Sequence, residues 1–255
     1  MGVVMDGDRL IDQGEGTPES DWLPWLDAAS LPSVTAEVLV PAGARAVVVA
    51  PHPDDEVLSV GGLLAQLAES DREVCVIAVT DGTASHPGSS RWTPADLGHA
   101  RALESRRALA LLGLLQPPLR LGLPDGRLSE MRSVLEDKFL NLLRPGDVVF
   151  TTWRLDGHPD HEATGHASAH AARHVGARLV EVPVWAWHWA APGDPRVPWA
   201  GARRLQLDAN ALPRKIRATL AFQSQLQPDD TTGAQPILRA STVARARRPF
   251  EVFFT

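Results

Sequence analysis

One cysteine among 255 residues leaves the chain no internal disulfide to form. That residue, Cys75, sits inside an apolar run and reads as a small core hydrophobe, in keeping with a reducing cytosol. Apolar stretches long enough to span a bilayer are also lacking, so no membrane span is expected. A basic excess is missing too: 25 Lys and Arg stand against 31 Asp and Glu, giving a formal net charge of −6. A nucleic-acid binder or a protein held on anionic lipid would show a basic face, which sets both partners aside. The first residues, Met1 to Asp8, contain no basic segment followed by an apolar core, so no secretory leader is expected there. These absences point to a soluble, cytoplasmic, globular protein and leave self-association open.

With 44% hydrophobic and 22% charged residues, the composition is ordinary for a globular chain, and the length suits one large domain over residues 1–255. Residues 1–33 read as a polar N-terminal extension whose Trp22 and Trp25 dock on the body. Thr35–Val40 alternates like an edge strand. From about 45 to 185 a βα rhythm sets in, with strands at Val47–Ala50, Val74–Val79, Leu119–Leu121, Asp147–Thr152 and Arg178–Val182. Helices are expected at Glu56–Ser70, around His99–Leu109, at about 129–143 and at about 161–174. Alternation of this kind predicts an α/β, Rossmann-like three-layer sandwich on a mostly parallel central sheet of order 3-2-1-4-5. Residues 186–255 form a C-terminal elaboration: Val184–Trp189 alternates like a strand, Arg203–Leu207 like a late edge strand, Pro213–Leu226 is helical and Phe250–Phe254 is a strand or docking segment.

The first strand runs into Pro51-His52-Pro53-Asp54-Asp55-Glu56 and the fourth into Trp153-Arg154-Leu155-Asp156-Gly157-His158-Pro159-Asp160-His161. In the expected order these strands are neighbours, so the two stretches densest in His and Asp meet where open α/β sheets place their ligands. Two imidazoles and a carboxylate are what a catalytic zinc site takes, with a position left for water, and an adjacent carboxylate can serve as base. Spacing alone leaves open which Asp binds metal. His161-Glu162-Ala163-Thr164-Gly165-His166 is one residue too long for the zinc-protease signature, whose two histidines stack on one helix face. His166, His170 and His174 read as a solvated or packed helix face, and Gly61-Gly62 as close helix–sheet packing rather than a phosphate loop.

His-Pro-Asp-Asp-Glu after a first strand, with His-Pro-Asp-His about 100 residues later, resembles the LmbE-like or PIG-L family of zinc-dependent N-deacetylases acting on N-acetylglucosaminyl conjugates. Thr80-Asp81-Gly82, Arg101-Ala102-Leu103-Glu104 and Leu123-Pro124-Asp125-Gly126 look like further landmarks of that family. The resemblance implies His52, Asp55 and His161 as ligands of zinc, with another divalent ion as the alternative. It implies Asp54 as general base, His158 as the imidazole that stabilises the oxyanion or protonates the leaving amine, and Asp160 as a carboxylate orienting a histidine. Glu56 would start the helix. Arg101 is expected toward the substrate, against an alternative as an ion pair with Glu104. Trp153 and Asp156 are also expected toward the substrate, and at least one of Trp185, Trp187, Trp189 and Trp199 along the pocket.

The chain departs from the family at one place. Mycothiol-pathway members carry a tyrosine where Asp156 stands, and this sequence has no tyrosine at all, which argues against a mycothiol-type substrate. The implied partner is a small amino-sugar conjugate. Cleavage of a larger amide, a non-catalytic sugar- or nucleotide-binding module and a dinucleotide oxidoreductase are the alternatives. The last is opposed by the first βα turn, which has no Gly-x-Gly-x-x-Gly and whose Asp54 and Asp55 would repel a pyrophosphate.

Overall fold

A computed structural model describes residues 9–12, 14–70 and 72–255. The expectations about Met1–Asp8 lie outside the described residues. In chain order the elements are α1 (Glu19–Ala28), β1 (Ser33–Val34), α2 (Ala36–Leu39), β2 (Ala46–Ala50), α3 (Asp55–Glu69), β3 (Val74–Thr80), α4 (Pro94–Leu112) and β4 (Leu119–Leu123). They continue as α5 (Arg132–Leu142), β5 (Val148–Thr152), α6 (Pro159–Val175), β6 (Arg178–Val182), α7 (Ala186–Trp189), β7 (Ala202–Gln206), α8 (Ala211–Thr219), α9 (Gln223–Leu226), α10 (Ala240–Arg245) and β8 (Phe250–Phe254).

These strands build one eight-stranded sheet in the order β1-β7-β8-β6-β5-β2-β3-β4. The block β4-β3-β2-β5-β6 is wholly parallel and reproduces the expected 3-2-1-4-5 order, whereas β8 runs antiparallel to both β6 and β7. Strand β2 is buried on both faces, as its run of valines requires. Ala46 and Val48 face the cluster under α3, α4 and α8, while Val47 and Val49 face the cluster under α5 and α6. A third apolar cluster gathers Trp22 and Leu26 of α1 with Trp153, Trp187, Phe250 and Phe254, which docks the N-terminal segment on the late strands. No helix among the described residues is long and apolar enough to cross a membrane.

Four local expectations differ from the structure, the first two because a side chain takes the backbone donors. The stretch expected as an edge strand from Thr35 to Val40 is instead helix α2, with Thr35 accepting the Val38 N–H at 3.4 Å as its cap and Ala36 and Leu39 turned inward. The alternating Val184–Trp189 is a turn leading into α7. There the buried Asp156 carboxylate accepts the N–H groups of Val184, Trp185 and Ala186 at 2.9 Å each, so these donors enter no strand ladder. The helix expected over Pro213–Leu226 is two, α8 and α9, separated at Leu220–Phe222. Strand β7 exists, but it is interior rather than an edge, covered by β1 on one side and β8 on the other.

Helix α3 carries an internal break at Val60, whose backbone (φ −132°, ψ 18°) leaves the helical region. Just beyond it, a Cβ on Gly62 would lie 2.4 Å from the Leu207 side chain, so close packing against the end of β7 requires glycine there.

Candidate metal centre and active-site cavity

The site lies outside the carboxyl ends of β2 and β5, which pair directly (Val47 opposite Val149, Val49 opposite Thr151). Leaving β2, the chain turns at His52 and places Asp54 at φ +123°, a conformation unfavourable for a residue with a Cβ and worth roughly 1–3 kcal/mol of strain. The surroundings hold it there. Glu56 accepts the Asp54 N–H at 3.0 Å, and the Val57 and Leu58 amides donate to the Asp54 carbonyl at 2.9 Å. Arg101 reaches across from α4 to donate to Asp54 Oδ2 at 3.1 Å, the Pro53 carbonyl at 2.6 Å and the Gly82 carbonyl at 2.9 Å. A Cβ on Gly82 (φ +66°) would sit 2.0 Å from the guanidinium, so glycine lets the arginine through.

Asp55 Oδ2 is the point on which the two sequence stretches converge. It lies 3.2 Å from His52 Nδ1 and 3.2 Å from His161 Nε2, and the three residues form a group able to hold a metal ion. Ligand atoms each 2.0–2.2 Å from a tetrahedral centre would be about 3.3–3.6 Å apart, which is close to the spacing seen. Tautomers agree as well. His161 Nδ1 meets Asp156 Oδ2 at 2.8 Å, leaving a buried Nε2 with no hydrogen-bond partner among the described residues. His52 Nε2 meets Asp125 Oδ1 at 3.1 Å and Asp160 Oδ2 at 3.2 Å, which directs Nδ1 to Asp55. Carboxylates behind both imidazoles are what orient metal-binding histidines. A second cluster, His52, His158 and Asp160, shares one imidazole with the first. Its Asp160 is already committed to the Gly126 and Leu128 amides at 2.7 and 3.0 Å, so the first group fits a cation better.

Electrostatics separate the carboxyl groups. Burial pushes Asp54 up, Arg101 pulls it down, and repulsion from Asp55 and Glu56 leaves it at about 7. Burial also raises Asp55, but the charge of His161 and the close contacts with both imidazoles outweigh that and hold it low. Burial raises Asp125, but the hydrogen bond and charge of His52, with the Ala84 amide and Arg101, together outweigh it and leave the group at about 2. Burial works to lower His161, yet Asp55 and Asp156 carry it to about 9; His52 is likewise driven well above the ordinary range by Asp125, Asp160 and Asp55. His158 goes the other way, to about 3, through burial and then the charges of His52 and His161.

Folded-state pKa values above 6.5 for His52 and His161 mean that the metal-free fold binds these protons more tightly than the unfolded chain does. Their contribution to stability is complete below about pH 6.5 and is lost as pH rises through the folded values. The thermal midpoint of chelator-treated protein is therefore expected to fall between pH 6.5 and 9, the value reached by His161. Scanning calorimetry across that window checks this, and a flat or rising midpoint would contradict it. Addition of zinc at neutral pH should release protons, seen as a binding enthalpy that varies with the buffer.

A cavity of about 260 Å³ opens over the cluster. His52, Asp54, Asp55, Asp125 and His158 form its polar wall; Leu58, Val184, Trp185, Ile237 and Leu238 form its apolar one. His158 caps α6, its Nδ1 accepting the Asp160 N–H at 3.2 Å, and its ring lies nearly parallel to Trp185 with centroids 6.3 Å apart.

Several side chains expected at the substrate are elsewhere. Trp153 packs in the tryptophan cluster against Trp189 and Phe254, off the cavity lining. Asp156 is fully buried and holds His161 instead of facing the cavity. Arg101 does line the cavity, but its ion-pair partner is Asp54 rather than Glu104, whose carboxylate accepts from the Ser224 amide and hydroxyl. Of the late tryptophans, Trp185 lines the cavity, whereas Trp187 and Trp199 pack on Trp22. In the sequence Asp125 stands out only as part of Leu123-Pro124-Asp125-Gly126, which by itself assigns it no role.

Comparison with known proteins bears on this cluster. Residues 47–172 match the family model described as PIG-L, GlcNAc-PI de-N-acetylase. An uncharacterized deacetylase of Escherichia coli (strain K12) is 35% identical over 132 residues, which is 49% of this chain and 65% of that protein; the match thus spans just under two thirds of the relative's length. A 1D-myo-inositol 2-acetamido-2-deoxy-alpha-D-glucopyranoside deacetylase of Corynebacterium diphtheriae is 26% identical over 243 residues, covering 74% of this chain and 79% of that one. Among solved structures, the A40926 pseudoaglycone deacetylase superposes with a TM-score of 0.58 at 26% identity, covering 83% of this chain and 96% of that one.

Proposed function

Residues 47–172 form a domain of the PIG-L family, and on that premise we propose that the chain is a zinc-dependent hydrolase removing the N-acetyl group of an N-acetylglucosamine-type conjugate. The observation that carries this reading is the convergence of His52 Nδ1 and His161 Nε2 on Asp55 Oδ2, with Asp54 beside them in one cavity. A relative named as a 2-acetamido-2-deoxy-glucopyranoside deacetylase and a solved structure named as a pseudoaglycone deacetylase support the same reaction.

His52, Asp55 and His161 would hold the ion, which when bound supplies a Lewis acid for the acetyl carbonyl and acidifies a water. Asp54 faces the cavity with Arg101 fixing one of its oxygens, and a carboxyl at about 7 is well placed to accept a proton near neutral pH. It takes the proton of the water that attacks the acetyl carbon and returns it to the leaving amine. At a pKa of about 3, His158 is neutral throughout this range. Because Nδ1 accepts the Asp160 amide, the proton sits on Nε2, which makes His158 a hydrogen-bond donor to the carbonyl oxygen as charge develops there. That role supplies the donor in a chain without tyrosine. Acetate and a free amine leave.

Acetate release tests the proposal. N-acetylglucosamine, its methyl glycoside and diacetylchitobiose, each incubated with zinc-loaded protein, are expected to yield acetate in at least one case, and none after treatment with a chelator. No acetate from any of the three, or release that persists in chelator, would refute it.

A further inference from the structure

Two buried charges take no part in the chemistry above: Lys215 on α8 and Glu251 on β8, 3% and 4% exposed. Both come from outside residues 47–172, and both reach the break in α3. Lys215 Nζ donates to the Leu58 carbonyl at 3.2 Å and to Glu251 Oε1 at 2.6 Å. Glu251 accepts the Gly62 N–H at 2.7 Å and the Leu63 N–H at 2.9 Å. A helix interrupted at Val60 leaves carbonyls stranded at the end of its first piece and amides at the start of its second. Here the cation meets a carbonyl of the first piece and the anion caps the second.

That first piece, Asp55–Ser59, is little more than one turn, and a lone turn is unfavourable because several dihedrals are fixed for a single hydrogen bond. Yet it carries Asp55 and, directly before it, Asp54. Its anchor on the far side is Lys215, bound to the Leu58 carbonyl, while inside the piece the Ser59 hydroxyl donates to the Asp55 carbonyl at 2.5 Å. We propose that Lys215 and Glu251 are positioning residues that set the place of the Asp55 carboxylate, so that metal affinity depends on a pair remote from the ligands. The proposal rests on the His52–Asp55–His161 metal reading.

The test separates positioning from simple support of the fold. A buried pair broken at one partner destabilises strongly, whereas replacing both partners by apolar groups is often neutral. Lys215→Met/Glu251→Leu is therefore expected to recover the thermal midpoint that Lys215→Met alone loses. It cannot recover the capped carbonyl and amides. Its zinc dissociation constant, read by competition with a chromophoric chelator, is expected to be about 10- to 100-fold weaker than that of the parent. The visible spectrum of the cobalt(II) form is expected to change as well. Should the double variant not fold, Glu251→Gln, which keeps an amide oxygen for Gly62 and loses the charge, is expected to show the same weaker affinity and altered spectrum. Parent-like affinity and an unchanged cobalt spectrum in a folded variant would overturn the proposal while leaving the metal reading intact. Failure of the parent protein to bind any divalent ion would overturn both.

Discussion

Asp54→Asn is expected to lower kcat/KM by about a thousandfold while leaving divalent-metal affinity within a few-fold of the parent. Loss of a positioned general base typically costs 10²–10⁴ in rate, and an amide cannot take the proton of the attacking water. The substitution is otherwise mild. Asn tolerates positive φ as Asp does, and φ at this position is +123°. Its side-chain oxygen can still accept from Arg101 Nη2, which stands 3.1 Å from Asp54 Oδ2. The groups that converge for metal are Asp55, His52 and His161, so the ion should stay. Stability should move in the opposite direction to activity. Asp54 has its pKa raised to about 7 by burial, so ionising it in the fold is costly, and the fold loses stability as pH rises through that value. A neutral Asn escapes that loss, and the variant is expected to melt higher than the parent above pH 7. Steady-state kinetics, metal titration and a melting curve at pH 8 measure all three. Full activity in Asp54→Asn would remove this residue from the mechanism.

The second large effect is on the metal itself. His161→Ala removes an imidazole that is completely buried and whose Nε2 faces Asp55 Oδ2 at 3.2 Å. Loss of a carboxylate behind a metal-bound histidine already costs 10–100-fold in affinity, so loss of the ligand is expected to weaken zinc binding by at least about 100-fold and to abolish turnover. The fold should survive. Asp156, which loses His161 as a partner, still accepts three backbone amides from Val184, Trp185 and Ala186. Calorimetric titration of the variant reads the affinity, and circular dichroism checks the fold. Parent-like zinc binding in a folded His161→Ala protein would place the ion elsewhere.

The parts of this site that could be read in the sequence are those fixed by chain order. Two short polar segments, each following an apolar run, must meet if their strands are neighbours, and β2 and β5 do pair in register. Side chains whose role depends on a distant backbone were hidden. From the sequence Asp156, two places before His158, is expected to face substrate. Its carboxylate instead faces the amides of residues 184–186, and nothing local announces that. Asp125 lies in a loop after β4, and only the placement of that loop beside β2 brings it within 3.1 Å of His52 Nε2. The alternating stretches at Thr35–Val40 and Val184–Trp189 misled for a related reason. Period-2 hydrophobicity describes which side chains are buried, but a cap at Thr35 and a carboxylate at Asp156 decide where the backbone donors go. Lys215 and Glu251 are the extreme case, two charges in elements outside the α/β rhythm that meet at a helix break 150 or more residues earlier in the chain.

The most direct measurement is a titration of chelator-treated protein with zinc, following heat of binding and acetate release from an N-acetylglucosaminyl substrate in parallel. The expected result is one ion per chain, with activity rising in step and levelling at that equivalence, and neither signal in His161→Ala. A parent protein that takes up no divalent ion, or that releases acetate equally well without one, would contradict the assignment of His52, Asp55 and His161 as the working centre.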